Sequence, residues 1–166
     1  MDEDEADLLN SAMPAIAQLS SPAQVEAPLT SDDTARRFVA ESIAAHPGKV
    51  VLFALSWCEF CWSVRKLLNR LGTPFASIDL DAPAFRAAHD VPKIRAALKE
   101  VTGAATIPQV FVGGRWIGGC TEVMEAAESG DLQRLLAENS IVCGFNGPLS
   151  RYDFLPNWVQ PQPRAA

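Results

Sequence analysis

The stretch VVLFALSWCEFC occupies residues 50–61 and decides the fold of the chain. Its first half is apolar, begins with β-branched residues, and has the length of a fully buried strand. Its second half opens a segment in which apolar residues recur at helical spacing, with basic residues between them. The stretch therefore predicts a buried strand over residues 49–55 and a helix over residues 59–71.

Cys58 lies where the predicted strand meets the predicted helix. Unpaired backbone N–H groups at a helix N-terminus, and the positive end of the helix dipole, favour a thiolate over a thiol. Cys61 follows one helical turn later on the same face, where it can reach Cys58 and is expected to be more buried. The pair predicts redox chemistry with Cys58 as the attacking thiolate.

A Cys-x-x-Cys pair also occurs as half of a structural zinc site or as a static disulfide. Four-cysteine zinc sites usually contain a second close pair, whereas Cys120 and Cys143 are far apart in the sequence. His46 and His89 have no ligand spacing to either cysteine. The sequence therefore favours a redox pair, and we expect no metal ligands.

The charge of the 166 residues is distributed unevenly. Residues 1–30 contain six acidic residues and no lysine or arginine, which accounts for the whole net charge of −6. In the rest of the chain acidic and basic residues are equal in number, so the sequence does not predict a nucleic-acid surface.

No apolar run approaches the roughly 20 residues of a membrane span, and the acidic N-terminus is unlike a targeting peptide. We expect a protein of the cytoplasm or another reducing compartment, without membrane or nucleic-acid partners.

Composition divides the chain into three parts. Residues 1–30 are acidic and contain alanine and proline, which is typical of a disordered leader. Residues 31–142 carry the helical and strand patterns of a domain. Residues 143–166, the C-terminal extension, contain four prolines and four aromatic residues. We expect this extension to be irregular and to pack on the domain or on a partner subunit.

The domain pattern begins with a helix capped by Ser31-Asp32-Asp33. After the cysteine helix, residues 75–80 predict a strand parallel to the first. A helical stretch from residue 81 is interrupted near Pro92 and resumes over residues 93–101, with Val101 on its buried face. Residues 109–117 predict a hairpin with a two-glycine turn. Two further helices are predicted over residues 121–127 and 132–137.

Three motifs occur in order along the domain. They are Trp57-Cys58-Glu59-Phe60-Cys61, Thr106-Ile107-Pro108 and Gly118-Gly119-Cys120-Thr121-Glu122. Together they resemble the dithiol glutaredoxins of the thioredoxin superfamily, in order and in spacing, over residues 32–142. The resemblance implies a thioredoxin/glutaredoxin fold of the α/β class, with a central four-stranded mixed sheet flanked by helices.

The resemblance also implies a function, that of a glutathione-dependent disulfide oxidoreductase in electron transport. In the family, the residue matching Cys58 takes a glutathionyl group from a mixed disulfide, and free glutathione then releases it. The residue matching Cys61 serves when the substrate is a protein disulfide. We therefore expect Cys58 and Cys61 to be catalytic in a monomer whose partners are glutathione and glutathionylated or disulfide-bonded proteins.

A glutathione site follows from the same resemblance. Pro108 is expected in the cis form, with the backbone of Ile107 facing the glutathione cysteine. The helix that begins near Thr121 is expected to bind the γ-glutamyl carboxylate, with Cys120 packed as a small residue. The expected glutathione-binding residues are Trp57, Phe60, Arg95, Ile107, Pro108, Thr121 and Glu122.

The chain departs from the family at several of these positions. Leu55 and Ala105 stand where the family usually has basic residues. Arg95 stands where the family has a glutamine, and its guanidinium fork suits the glycyl carboxylate of glutathione. Glu59 replaces a common proline, and its carboxylate suits a helix N-terminus but repels a thiolate at Cys58.

Two alternative functions follow from these departures. Loss of the proline after Cys58, with Trp57 before it, resembles family members that bind a [2Fe–2S] cluster between two subunits. In that case Cys58 and glutathione would be cluster ligands and the protein would be a dimer. The second alternative is a docking protein in which the altered glutathione site is idle.

Overall fold

A computed structural model describes residues 31–161 of the chain. The leader predicted over residues 1–30 lies outside the described residues, as do the last five residues of the C-terminal extension. None of the helices in residues 31–161 is long and apolar enough to cross a membrane. The elements in chain order are α1 (Asp33–Ala44), β1 (Val50–Ala54), α2 (Glu59–Arg70), β2 (Phe75–Asp79), α3 (Pro83–Ala88), α4 (Val91–Thr102), β3 (Gln109–Val112), β4 (Arg115–Gly118), α5 (Cys120–Ser129) and α6 (Asp131–Glu138). Two single 3₁₀ turns follow in the extension, at Arg151–Asp153 and Asn157–Val159.

The strands form one sheet in the order β2-β1-β3-β4. β1 runs parallel to β2 and antiparallel to β3, and β3 and β4 form the predicted hairpin. The parallel pair requires a crossover, which α2 supplies. This mixed four-stranded sheet with flanking helices confirms the predicted fold class.

Helices cover both faces of the sheet. Val50, Leu52 and Ala54 of β1 pack in one cluster with α2, α5 and α6, while Val51 and Phe53 pack in a second cluster with α1 and α4. Alternate side chains of a strand point to opposite faces, so β1 contributes to both clusters. Because β1 is buried throughout, the position at which it ends and α2 begins is firmly fixed.

The segment around Pro92 shows where the sequence interpretation succeeded and where it was wrong. The helical stretch is interrupted as predicted, and α4 restarts at Val91 with Asp90 accepting a 3.3 Å hydrogen bond from the Lys93 N–H. Proline is tolerated there because the first turn has no intrahelical N–H bond to lose. Val101, however, is 60% exposed, so its predicted burial was wrong. Helical spacing identifies the buried face but not the turn at which the neighbouring layer ends.

The C-terminal extension packs along the face formed by α2 and α5. The Gly144 N–H donates a 2.6 Å hydrogen bond to the Leu71 carbonyl just past the end of α2. The guanidinium of Arg70 lies 4.5 Å from the centre of the Phe145 ring. Further along, Phe154 is buried in the cluster that contains the α2 and α5 side chains. The described part of the extension is therefore held at several points along its length.

An ion pair anchors the middle of the extension to α5. The Arg151 guanidinium donates to the Glu128 carboxylate at 2.6 Å and 2.9 Å, and the Arg151 backbone N–H donates to it at 2.7 Å. The Arg151 side chain, followed by its backbone N–H, holds the pKa of Glu128 below its usual value. The carboxylate is therefore stabilised in the folded chain.

Glu128→Gln is expected to lower the melting temperature by a few degrees at pH 7, because Arg151 loses its charged acceptor. A carboxyl whose pKa is lowered by folding stabilises the protein above its unfolded pKa, about 4.5 for Glu128, and ceases to do so as pH falls through the folded pKa. The difference in melting temperature between wild type and variant should therefore shrink from pH 7 to about pH 3, as measured by circular dichroism.

The matched control is Glu125→Gln, since that carboxylate lies 3.6 Å from the Arg151 guanidinium and accepts no short bond from it. It should change the melting temperature less than Glu128→Gln does. A Glu128→Gln difference that is equally large at both pH values would contradict the assigned role of the ion pair.

Candidate active site

Cys58 caps the N-terminus of α2. Its backbone is extended, with φ −84° and ψ 118°, and its carbonyl accepts a 3.1 Å bond from the Trp62 N–H in the first turn. The thiol itself is half-buried and reduced. Cys58 therefore occupies a helix start, where backbone N–H groups have no intrahelical partners, and it is only partly buried.

Cys61 has a different environment one turn further along α2. Its side chain is fully buried, as predicted, and its sulfur accepts a hydrogen bond of 3.5 Å from the Leu55 N–H. Burial raises the pKa of the Cys61 thiol to about 12; the Leu55 bond opposes this rise, and the hydrogen bond and negative charge of Cys58 add to it. At neutral pH this environment keeps Cys61 protonated.

The loop before Cys58 is fixed from two sides. The Ser56 N–H and hydroxyl donate to the Asp81 carboxylate at 2.8 Å and 2.6 Å, and the Trp62 indole donates to the Ser56 carbonyl at 2.6 Å. Burial alone would raise the pKa of Asp81, but the Ser56 hydrogen bonds outweigh it and the pKa is lowered. The loop therefore has an ionised acceptor at neutral pH.

Sequence reasoning missed the roles of Asp81 and Trp62. The sequence pattern assigns Asp81 only to the start of a helix. A signal was nonetheless available, because residues that follow two parallel strands lie at the same edge of the sheet. Ser56 and Asp81 follow β1 and β2 in this way.

A pocket of about 280 Å³ lies between the start of α2, the segment before β3 and the start of α5. The peptide bond between Ile107 and Pro108 is cis, as expected. Trp57 does not line the pocket and is 69% exposed, and Arg95 does not line it either. The predicted glutathione-binding residues that line it are Phe60, Ile107, Pro108, Thr121 and Glu122.

The start of α5 shapes one wall of this pocket. The Glu122 carboxylate accepts a 2.9 Å bond from the Gly119 N–H, so it caps the helix of its own chain. Gly118 adopts a φ of +122°, and a Cβ atom there would lie 2.4 Å from the Cβ of Glu122. A glycine is therefore required at position 118 by both conformation and space.

Cys120 is buried at the same helix start, in agreement with the expectation that it is packed. Burial raises the pKa of its thiol to about 12, and the negative charges of Cys58 and Glu122 add to the rise. Cys120 therefore remains a neutral thiol at neutral pH.

Known proteins are similar to this chain in sequence. The family model described as Glutaredoxin matches residues 50–117. Glutaredoxin-C1 of Arabidopsis thaliana is 41% identical over 98 residues, which cover 59% of this chain and 73% of that protein. The chain belongs to the glutaredoxin family. Glutaredoxin-C6 of Oryza sativa subsp. japonica is 39% identical over 98 residues, covering 59% of this chain and 81% of that glutaredoxin.

Solved glutaredoxins have a similar structure. A buckwheat glutaredoxin–glutathione complex gives a TM-score of 0.59 at 34% identity, covering 66% of this chain and 94% of that one. Wheat glutaredoxin gives a TM-score of 0.59 at 39% identity, covering 66% and 99% of the two chains. The resemblance seen in the three sequence motifs and the predicted fold are thereby confirmed. The chain is a glutaredoxin-type, glutathione-dependent thiol–disulfide oxidoreductase.

Arg95 lies close to the pocket although it does not line it. Its guanidinium donates a 3.3 Å hydrogen bond to the carbonyl of Ala105, the residue before the pocket residue Thr106. The side chain is exposed on α4. The structure therefore places Arg95 next to the segment that lines the pocket, and not in the pocket itself.

Gly118→Ala is expected to destabilise the protein by about 1–3 kcal/mol, because alanine disfavours this φ and its Cβ would displace Glu122. Urea unfolding would measure the change. Gly114→Ala is the matched control, since Gly114 has a φ of +79° and no atom within 4 Å of an added Cβ. If the two substitutions cost the same free energy of unfolding, the contact with Glu122 is not the reason for the glycine.

Proposed function

We propose that Cys58 is the nucleophile of this glutaredoxin and that Cys61 is its resolving thiol. The observation that carries the proposal is the contrast between the two sulfurs, one half-buried at a helix start and the other fully buried one turn away. Exchange requires an attacking thiolate that is accessible, and a second thiol that becomes reactive only after the first has bonded. The two environments meet these requirements.

With a glutathione mixed disulfide, Cys58 alone completes the reaction. Its thiolate attacks the glutathione sulfur, forms a Cys58–glutathione disulfide and releases the substrate as a thiolate, which takes up a proton. The thiolate of a second glutathione then attacks the bound glutathione sulfur. Oxidised glutathione leaves, and the Cys58 thiolate is regenerated. One free glutathione is consumed for each substrate thiol released, and the other half of the oxidised glutathione comes from the substrate's own glutathionyl group.

With a protein disulfide, Cys61 takes part as well. Cys58 attacks one substrate sulfur and forms a mixed disulfide, which removes the negative charge that helps to raise the pKa of Cys61. Cys61 can then lose its proton and attack the Cys58 sulfur. The substrate leaves as a dithiol, and two glutathione molecules reduce the resulting Cys58–Cys61 disulfide.

The pocket that Phe60 lines, two residues after Cys58, supports glutathione as the ligand. The N-terminus of α5 presents backbone N–H groups without intrahelical partners, which suit a carboxylate. We propose that Phe60, Ile107 and Pro108 hold the glutathione moiety while the α5 start at Thr121 and Glu122 binds its γ-glutamyl carboxylate. Trp57 and Arg95 would contact it from outside the pocket.

The cellular role follows from the reductant. A reaction driven by glutathione requires a compartment that keeps glutathione reduced. We propose that the protein acts as a monomer in electron transport to glutathionylated or disulfide-bonded proteins, in the cytoplasm or another reducing compartment.

No observation favours the [2Fe–2S] alternative. Cys61 is fully buried, so each chain would offer one thiol, Cys58, to a cluster at this site. Glutathione and a second subunit would have to supply the remaining ligands. Absorbance of anaerobically reconstituted protein would reveal this state as a thiolate-to-iron band accompanied by a dimer peak in gel filtration.

The deciding experiment compares wild type, Cys58→Ser and Cys61→Ser in turnover of hydroxyethyl disulfide with glutathione and glutathione reductase. Cys58→Ser should lose turnover by at least about 10³-fold, because a serine hydroxyl does not replace the thiolate. Cys61→Ser should retain it but lose reduction of a protein disulfide such as that of insulin. Turnover by Cys58→Ser would refute the proposed nucleophile, and an inactive wild type would support the docking alternative.

Arg95→Ala should raise the KM for a glutathionylated peptide by about tenfold with little change in kcat, since one charge-assisted hydrogen bond is lost. Steady-state kinetics at fixed glutathione concentration would measure both constants. Lys99→Ala is the control, because Lys99 is an exposed cation one turn further along α4. Equal KM values for the two variants would mean that Arg95 acts only through general charge.

A further inference from the structure

The C-terminal extension reaches the N-terminal end of α2, where the side chain of Trp158 contacts the redox motif. Its indole N–H donates a 2.7 Å hydrogen bond to the Glu59 carboxylate. Its ring meets the Phe60 ring edge-on, with 5.6 Å between centroids and 72° between planes. Glu59 and Phe60 are the two residues between Cys58 and Cys61. One side chain from outside residues 50–117 therefore contacts both residues inside the redox motif.

We propose that Trp158 is a positioning residue for thiol–disulfide exchange, which acts on Cys58 through Glu59 and on the glutathione pocket through Phe60. The inference rests on the function proposed above for Cys58. It extends that function to a residue of the extension.

The hydrogen bond between Trp158 and Glu59 bears on the electrostatic repulsion between the Glu59 carboxylate and a thiolate at Cys58. Glu59 is the first residue of α2, directly after Cys58, and a free carboxylate there opposes a negative sulfur. The indole N–H holds one carboxylate oxygen towards the extension and draws part of its charge into a hydrogen bond. Trp158 therefore reduces the electrostatic cost of having glutamate at this position.

The ring contact between Trp158 and Phe60 bears on the shape of the pocket that Phe60 lines. Phe60 is half-buried and lines the 280 Å³ pocket that we assign to glutathione. An edge-to-face neighbour restricts the orientations that its ring can adopt. Trp158 therefore restricts the orientation of the Phe60 ring, which forms one wall of the pocket.

The exposure of Trp158 argues against a purely structural role. Its side chain is 65% exposed, whereas Phe154 of the same extension is buried in the core. The Arg151–Glu128 ion pair and Phe154 anchor the extension without help from Trp158. Substitution at position 158 should therefore leave the fold intact, and an effect on chemistry can be separated from an effect on stability.

Trp158→Phe removes the N–H donor and keeps an aromatic ring against Phe60. It should slow alkylation of Cys58 by iodoacetamide at pH 7 by about two- to fivefold, measured on the Cys58 peptide by mass spectrometry. The KM for a glutathionylated peptide should stay within about twofold of wild type. Trp158→Ala removes both contacts and should raise that KM by about threefold as well.

Repeating the Trp158→Phe substitution in a Glu59→Gln background tests whether Trp158 changes the alkylation rate of Cys58 through the Glu59 carboxylate. Without the carboxylate charge, Trp158→Phe should no longer change the alkylation rate, since there is no charge left for the indole to hold. Tyr152→Phe is the matched control, because Tyr152 is an exposed aromatic residue of the same extension. It should leave both readouts unchanged, and circular dichroism melting should show that all variants are folded.

Several results would overturn the proposal. The first is that Cys58 of Trp158→Phe is alkylated at the wild-type rate. The second is that Trp158→Phe still slows alkylation of Cys58 in the Glu59→Gln background. The third is that Trp158→Ala leaves the KM for the glutathionylated peptide unchanged. Alkylation requires neither glutathione nor a disulfide substrate. The alkylation tests therefore decide the Glu59 part of the inference even if the turnover assay refutes the proposed function.

Discussion

The chemistry of this chain depends on a strand that is buried along its whole length and ends directly at a cysteine. β1 contributes side chains to the clusters on both faces of the sheet, so neither its direction nor its depth can change without disturbing both helical layers. The helix that follows is fixed on one of those layers by its own apolar face. Cys58 lies between these two constrained elements, and its position is set by the core of the protein.

Burial also separates the tasks of the two sulfurs. Cys58 and Cys61 are three residues apart on one helix, yet one is accessible and the other is enclosed and hydrogen-bonded to the Leu55 N–H. A shared environment would give two similar thiols that compete for the same substrate. The observed difference in burial is what the proposed order of reaction requires, with Cys58 attacking first and Cys61 reacting only after a partner has bonded to Cys58.

Much of the fold and part of the site could be predicted from the sequence, because the relevant signals are local. The cysteine pair, the two-glycine hairpin and the motif containing the cis proline each lie within a few residues. Trp158 and Glu59 are separated by 99 positions, and no local pattern connects them. Asp81 required knowledge of strand pairing, and the exposure of Val101 required knowledge of where a neighbouring layer ends. These features belong to tertiary packing, which periodicity does not encode.

Three of the four tryptophans of the chain have side chains at or near the redox motif. Trp57 precedes Cys58, Trp62 donates to the Ser56 carbonyl, and Trp158 contacts Glu59, while Trp116 lies apart on β4. Indole emission is sensitive to nearby sulfur, charge and solvent. The protein therefore carries an intrinsic optical probe at its reactive end, and ultraviolet fluorescence alone should follow oxidation and reduction of the thiols without any attached dye.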